Sequence, residues 1–154
     1  MARFDRQFMD EMKSKLDVEL LGVASVETSS SSKLKETATA LLPSAKSVLV
    51  VAKEIYREVV SLLGPSKTAG EAERGELLGP HADYLNGRLN RAIHELSILF
   101  RQEGYRSLPL PAASPTDQRF LTALFSYKHA AQLAGLGTLG RHSLLITPEF
   151  GPRV

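Results

Sequence analysis

Six consecutive uncharged residues, Ser47-Val48-Leu49-Val50-Val51-Ala52, set the first constraint on this fold. The run is rich in β-branched residues and follows a turn region, so it predicts a strand, because such side chains pack well on a pleated surface. Successive strand residues point to opposite faces, and here both faces are apolar. That pattern predicts a central strand covered on both sides.

A second apolar run, Leu20 to Val26, predicts another buried strand with a polar exit at Glu27-Thr28. Helical spacing surrounds these two runs. Arg3 to Asp17 places Phe4, Phe8, Met9, Met12 and Leu16 on one face. A serine of the tract 29–32 is placed to cap a helix over Lys33 to Leu41. His81 to Gln102 carries Tyr84, Leu85, Leu89, Ala92, Ile93, Leu96, Leu99 and Phe100 at helical intervals and stops at Gly104. Farther on, Tyr105 to Leu110 reads as a strand closed by prolines. Thr116-Asp117 reads as the cap of a helix over Gln118 to Leu133, and Ser143 to Ile146 as a last strand. Gly64 to Pro80, glycine-rich and charged, is the candidate for a lid.

This alternation predicts an α/β or α+β fold with a buried sheet, and 154 residues with 43% hydrophobic content suit one domain over residues 1-154. No window approaches the ~18 apolar residues of a membrane span. The N-terminus is charged at helical intervals, so the expectation is a soluble, unexported, cytoplasmic protein without a membrane partner. Nineteen Lys and Arg against 17 Asp and Glu leave a charge of +2, and the basic residues are scattered, so nucleic acid is not expected as a direct partner. The absence of cysteine excludes disulfides, a Cys nucleophile and any Cys-ligated iron-sulfur cluster within the chain. Four histidines, His81, His94, His129 and His142, are too scattered to spell a metal site.

Gly135-Leu136-Gly137-Thr138-Leu139-Gly140 matches the G-x-G-x-x-G spacing of dinucleotide sites. Its context differs, since it follows a predicted helix and leads into a predicted strand, the reverse of a dinucleotide fingerprint. A P-loop is excluded as well, because Arg141 follows Gly140 where a lysine is required. Three glycines in six residues leave two readings open. One is a helix C-cap followed by a tight turn; the other is a backbone approached closely by another segment or by a flat ligand.

The stretch from Phe125 to Val154 reads Ala-Gly-Leu-Gly-x-x-Gly, then a basic residue, His and a Leu-Leu-Ile-x-Pro-x-Phe-Gly tail. It resembles the segment preceding the ferredoxin-type cysteines of epoxyqueuosine reductases and their reductive-dehalogenase relatives. Asp83-Tyr84 and the Gly104 to Pro111 stretch are placed as in the same family. The resemblance implies a nitroreductase-like core, a mixed central sheet flanked by helices, that binds cobalamin. It also implies electrons from iron-sulfur clusters held in a C-terminal part that this chain lacks. The chain is then a corrinoid-binding-type domain ending before a ferredoxin-like domain, and a modified tRNA becomes a partner only for a true epoxyqueuosine reductase.

Two departures stand out. The family's Val-Asp-Ser type stretch, whose Asp is the expected proton donor, is replaced by Leu108-Pro109-Leu110-Pro111-Ala112. The cysteine-rich portion, expected shortly after Val154, is absent. The resemblance assigns Gly135, Gly137 and Gly140 to close approach by the corrinoid, and Ser126, Lys128 and Arg141 to its amides or phosphate. Against this, Lys128 and Arg141 are residues more often found as solvated surface charges, and Ser126 reads equally as a helix-internal hydroxyl. Tyr127 and His129 are the candidate proton donors, with a core aromatic and a partly buried, backbone-bonded histidine as their plainer readings. His142 occupies a position suited to a cobalt ligand, a role these enzymes do not use.

Three functions follow: part of a cobalamin-dependent reductase served by an iron-sulfur electron donor, a corrinoid-binding module without turnover, and a flavin protein holding FMN. An exposed face left where a cluster domain would dock predicts a homodimer.

Overall fold

The computed structural model describes residues 6–63, 76–113, 116–117, 119 and 122–154. Among them the fold is mixed α/β, with five helices and small antiparallel sheets: α1 (Arg6–Leu16), β1 (Leu20–Ser25), α2 (Ser32–Leu41), β2 (Ser47–Ala52), α3 (Arg57–Val60), α4 (Leu78–Gln102), β3 (Thr116–Asp117), β4 (Thr122–Ala123), α5 (Tyr127–Leu133), β5 (Thr138–Leu139) and β6 (Leu145–Ile146). No described helix is long and apolar enough to cross a membrane.

The centre is the antiparallel pair β1 and β2, in register from Leu20 opposite Ala52 to Ser25 opposite Ser47. Side-chain alternation divides the core between its two faces. Ala24, Val26, Val48 and Val50 face a cluster with Leu34 and Ala38 of α2 and with Phe125 and Ala130. Leu21 and Val51 face the opposite cluster, where Leu16 of α1 meets Ala92 and Leu96 of α4. The two-sided apolar pattern of β2 is thereby explained. Among the described residues β2 pairs with β1 alone, and β1 is the more deeply buried strand. Three two-stranded antiparallel sheets form among the described residues.

Local signals account for several boundaries. Ser31 caps α2 as its tract predicts, its hydroxyl accepting from the Leu34 N–H at 3.2 Å. Asp17 ends α1 with φ 53, and the Asp17 and Val18 N–H groups reach the Ser14 and Lys13 carbonyls in the pattern of a Schellman cap. At the far side of the same sheet end, the buried Lys53 ammonium donates to the Asp17 carbonyl at 2.6 Å and to Glu19 Oε1 at 3.1 Å. Arg88 of α4 pairs with the Asp17 carboxylate, tying α4 to the end of α1.

Other expectations are corrected. Tyr105 to Leu110 is extended chain without a ladder: prolines 109 and 111 cannot donate, and the segment is held by side chains, Ser107 on Ser97 and Asn90 on the Ala112 N–H. The helix expected from Gln118 begins only at Tyr127, and Thr116-Asp117 pairs with Thr122-Ala123 in place of capping a helix. The last strand shortens to Leu145–Ile146, because Ser143 takes a left-handed φ of 61. Tyr84, counted with the apolar face of its helix, is 60% exposed. The lid proposed over Gly64 to Pro80 falls mostly outside the described residues, and its last three residues already belong to α4.

Candidate functional site

The segment that carries the sequence motif folds as a helix, a hairpin and a turn. At the end of α5 the Gly135 N–H bonds the Gln132 carbonyl and the Leu136 N–H bonds the Ala131 carbonyl, both at 3.0 Å. Gly135 adopts φ 76, so these bonds form a Schellman cap that a glycine satisfies without steric cost. β5 and β6 then pair through Thr138–Ile146 and Leu139–Leu145. The Gly140 N–H reaches the Leu144 carbonyl at 2.9 Å, leaving a three-residue loop of Arg141, His142 and left-handed Ser143. A final tight turn closes on itself where Thr147 and Gly151 exchange backbone bonds at 2.9 Å.

The glycines have distinct duties. A Cβ on Gly137 would lie 2.3 Å from the Ile146 carbonyl oxygen, so its absence lets the hairpin strands approach. One on Gly140 would meet the His142 ring at 2.6 Å and Ile146 Cδ1 at 2.9 Å. At Gly135 a Cβ would enter open space. Gly135 therefore serves the helix cap, Gly137 and Gly140 serve close approach by neighbouring parts of the chain, and of the three only Gly135 has open space beside its backbone. A fourth glycine escaped sequence reasoning: Gly22, inside β1, gives way to the Ala134 carbonyl oxygen and the Leu136 side chain, both 2.9 Å from where its Cβ would stand. A glycine interrupting an apolar strand was the available signal.

The polar candidates gather at the start of α5. Lys128 Nζ donates to the Ser143 carbonyl at 2.7 Å, which draws the hairpin loop against the first helical turn. Ser126 is the N-cap residue and not helix-internal; its hydroxyl leaves the backbone uncapped and meets His129 Nδ1 at 2.6 Å. His129 is exposed and bonded to a side chain, not partly buried on backbone as read from the sequence. Tyr127 donates its hydroxyl to the Pro111 carbonyl at 2.6 Å and packs against the core beside Phe125. His142 turns inward on its own loop, Nδ1 accepting from the Leu144 N–H at 3.2 Å. Arg141 is exposed and makes no hydrogen bond or ion pair among the described residues.

Thus Ser126, Lys128 and His129 stand together with the Arg141 loop, while Gly135 and Gly137 lie at the other end of a helix only about 10 Å long. Thr138, Gly140, Leu144 and Ile146 share the outward face of the hairpin, where Leu144 is 46% and Ile146 38% exposed. This is an apolar shelf beside two cations. Among the described residues no group of three His, Cys, Asp or Glu side chains is arranged to hold a metal ion. A separate pocket of about 350 Å³ opens near the ends of α2 and α4, lined by Leu41, Leu42, Arg101, Tyr105, Arg106 and Leu108 and containing none of the predicted site residues.

No family model, curated protein or solved structure matches this chain.

Proposed function

We propose that the chain is the cofactor-holding part of a cobalamin-dependent reductase with a nitroreductase-like core, similar to epoxyqueuosine reductases, whose iron-sulfur clusters lie outside it. The observation that carries this reading is that the motif-bearing segment, Phe125 to Val154, presents an exposed shelf of Leu144 and Ile146 next to the uncommitted Arg141 and to Lys128. A broad, amide-fringed macrocycle needs an apolar surface to lie against and donors at its edge for carbonyl and phosphate oxygens. The residues fit that demand. Lys128 uses one of three donor protons on Ser143 and keeps two, Arg141 keeps its full fork, and the open side of Gly135 admits close approach.

Cobalamin, when bound, supplies the reducing metal centre, fed by clusters whose thiolate ligands this cysteine-free chain does not provide. The protein's own part is binding and proton supply. The Tyr127 proton is committed to the Pro111 carbonyl, so that hydroxyl anchors α5. His129 is better placed to move a proton: its exposed imidazole meets the Ser126 hydroxyl through Nδ1 at 2.6 Å and leaves Nε2 without a partner among the described residues. The stretch Leu108 to Ala112 offers no carboxylate for that task, so the substrate reduced here differs from epoxyqueuosine or draws its proton from elsewhere.

The test is an anaerobic titration of the purified chain with cobalamin, with FMN as control, following the visible spectrum. Saturable binding with the spectral shift that marks loss of the lower axial base supports the reading, and Arg141→Ala combined with Lys128→Ala then weakens it about ten-fold or more, the loss of two charge-assisted contacts. Binding of FMN alone favours the flavin reading, and binding of neither cofactor overturns a cofactor role for this shelf.

A further inference from the structure

The pocket of about 350 Å³ near the ends of α2 and α4 joins two features that the cofactor reading does not use. One is charge. Arg101, in the last turn of α4, and Arg106, just past it, both line the pocket, and neither guanidinium has a hydrogen-bond or carboxylate partner among the described residues. Among those residues no acidic side chain lines the cavity. The other feature is an apolar wall, in which Leu41 and Leu42 from the end of α2 stand with Tyr105 and Leu108, 40% and 47% exposed.

The wall is fixed before anything binds. The Gly104 and Tyr105 N–H groups close a Schellman cap on the Arg101 and Phe100 carbonyls, at 3.1 and 2.9 Å. The Tyr105 ring stands edge-on to Phe100 with 6.4 Å between centroids. Farther along, the Ser107 hydroxyl donates to the Ser97 carbonyl at 3.1 Å, and Pro109 fixes its own φ. A pocket shaped in this way loses little conformational freedom on binding, so more of the contact energy appears as affinity. Gly104 adds clearance, since at φ 83 a Cβ there would meet nothing within 4 Å.

We infer that this pocket binds a small carboxylate with a flat apolar body, its head on the two guanidinium groups and its body against Leu41, Leu42, Tyr105 and Leu108. A planar guanidinium presents paired donors that match the two oxygens of a carboxylate. The C-terminal end of α4 opposes an anion through its dipole, and opposes a dianionic phosphate more than a carboxylate. For a single charge that opposition is smaller than one charge-assisted hydrogen bond, and the Schellman cap has already engaged carbonyls of the last turn. The volume lies at the lower end of the range for ligand pockets, which suits a body the size of naphthalene. No residue of this pocket belongs to the shelf proposed for cobalamin, so the inference stands apart from that reading.

The probe is naphthoate, titrated into the full 154-residue chain by calorimetry and followed through the arginine Nε–H signals in NMR spectra. Saturable binding that shifts the Arg101 and Arg106 signals is expected, at least about ten-fold tighter than for neutral naphthalenemethanol or for inorganic phosphate. Arg101→Gln combined with Arg106→Gln is expected to weaken naphthoate about ten-fold or more. Arg91→Gln, which removes an exposed charge from the same helix, is expected to leave affinity within about two-fold. Both pocket arginines are exposed, so the double variant is expected to keep the fold, checked by circular dichroism. The neutral probe tests the charged head on the unaltered chain in any case. The proposal is overturned by absence of saturable binding, by saturation that leaves the Arg101 and Arg106 signals unmoved, by the alcohol or phosphate binding as tightly as naphthoate, or by equal affinity in the double variant.

Discussion

The β1–β2 layer and the segment from α5 to the final turn are held in different ways. Around the sheet, apolar residues from α1, α2 and α4 close over both faces, and stability there comes from area removed from water. The α5–hairpin segment buries little by comparison, chiefly Phe125, Ala130, Ala131, Leu145 and Thr147. It is shaped by backbone stereochemistry: a Schellman cap, a three-residue hairpin loop and a closed turn, each needing a left-handed or unhindered residue at a fixed place. A core of the first kind tolerates changes that preserve volume, whereas the second kind tolerates changes that preserve φ and clearance. The exposed polar candidates belong to the second region, where side chains are free because they are not needed for packing.

The largest effect is expected in the sheet region. Leu96→Ala, in the cluster with Leu16, Leu21 and Ala92, is expected to lower stability by about 2–5 kcal/mol in urea denaturation, the cost of lost transfer plus a cavity. A loss below about 1 kcal/mol would mean that this face collapses without penalty and that the contrast between regions is weaker than drawn.

The hairpin sharpens the contrast with two substitutions of the same chemistry. Gly137→Ala drives a methyl into the Ile146 carbonyl and requires a backbone shift, so about 2 kcal/mol or more is expected. Gly135→Ala meets open space but must hold φ 76, a strain of about 1 kcal/mol. Equal losses in parallel denaturation curves would show that clearance between β5 and β6 is not what Gly137 provides.

Sequence reasoning reached these two regions unequally. Both long strands, α2 with its serine cap and the body of α4 were legible because each pattern reflects burial of its own residues. The sheet's width was not, because an apolar run on both faces specifies coverage by helices and leaves open how many strands pair beside it. Tyr105 to Leu110 forms no ladder among the described residues: Pro109 cannot donate, and Ser107 is bonded to Ser97. At the candidate site the glycines were legible as a group and not as individuals, since only the spacing of Gly137 from Ile146 reveals which one is needed for clearance. The Asp17, Glu19, Lys53 and Arg88 cluster was invisible, because its members come from a helix end, two strand ends and a distant helix.

That cluster yields the smallest and most selective prediction. The hydrogen bond from Arg88, and next the charge of Lys53, hold the Asp17 carboxyl below its usual 3.8. The same partnership raises Arg88. A carboxyl lowered in the folded state stabilises the fold at pH values above 3.8, and that contribution is lost as pH falls through the lowered value. Asp17 is also the left-handed residue closing α1, a conformation asparagine accepts almost as well. Asp17→Asn therefore keeps the cap and removes only the charge. The variant is expected to be modestly less stable than wild type at pH 7, with the difference shrinking towards zero as acid denaturation is followed below pH 4 or so. A difference that stays constant across that range would assign Asp17 to the helix cap alone and leave Lys53 held by Glu19 and the Asp17 carbonyl.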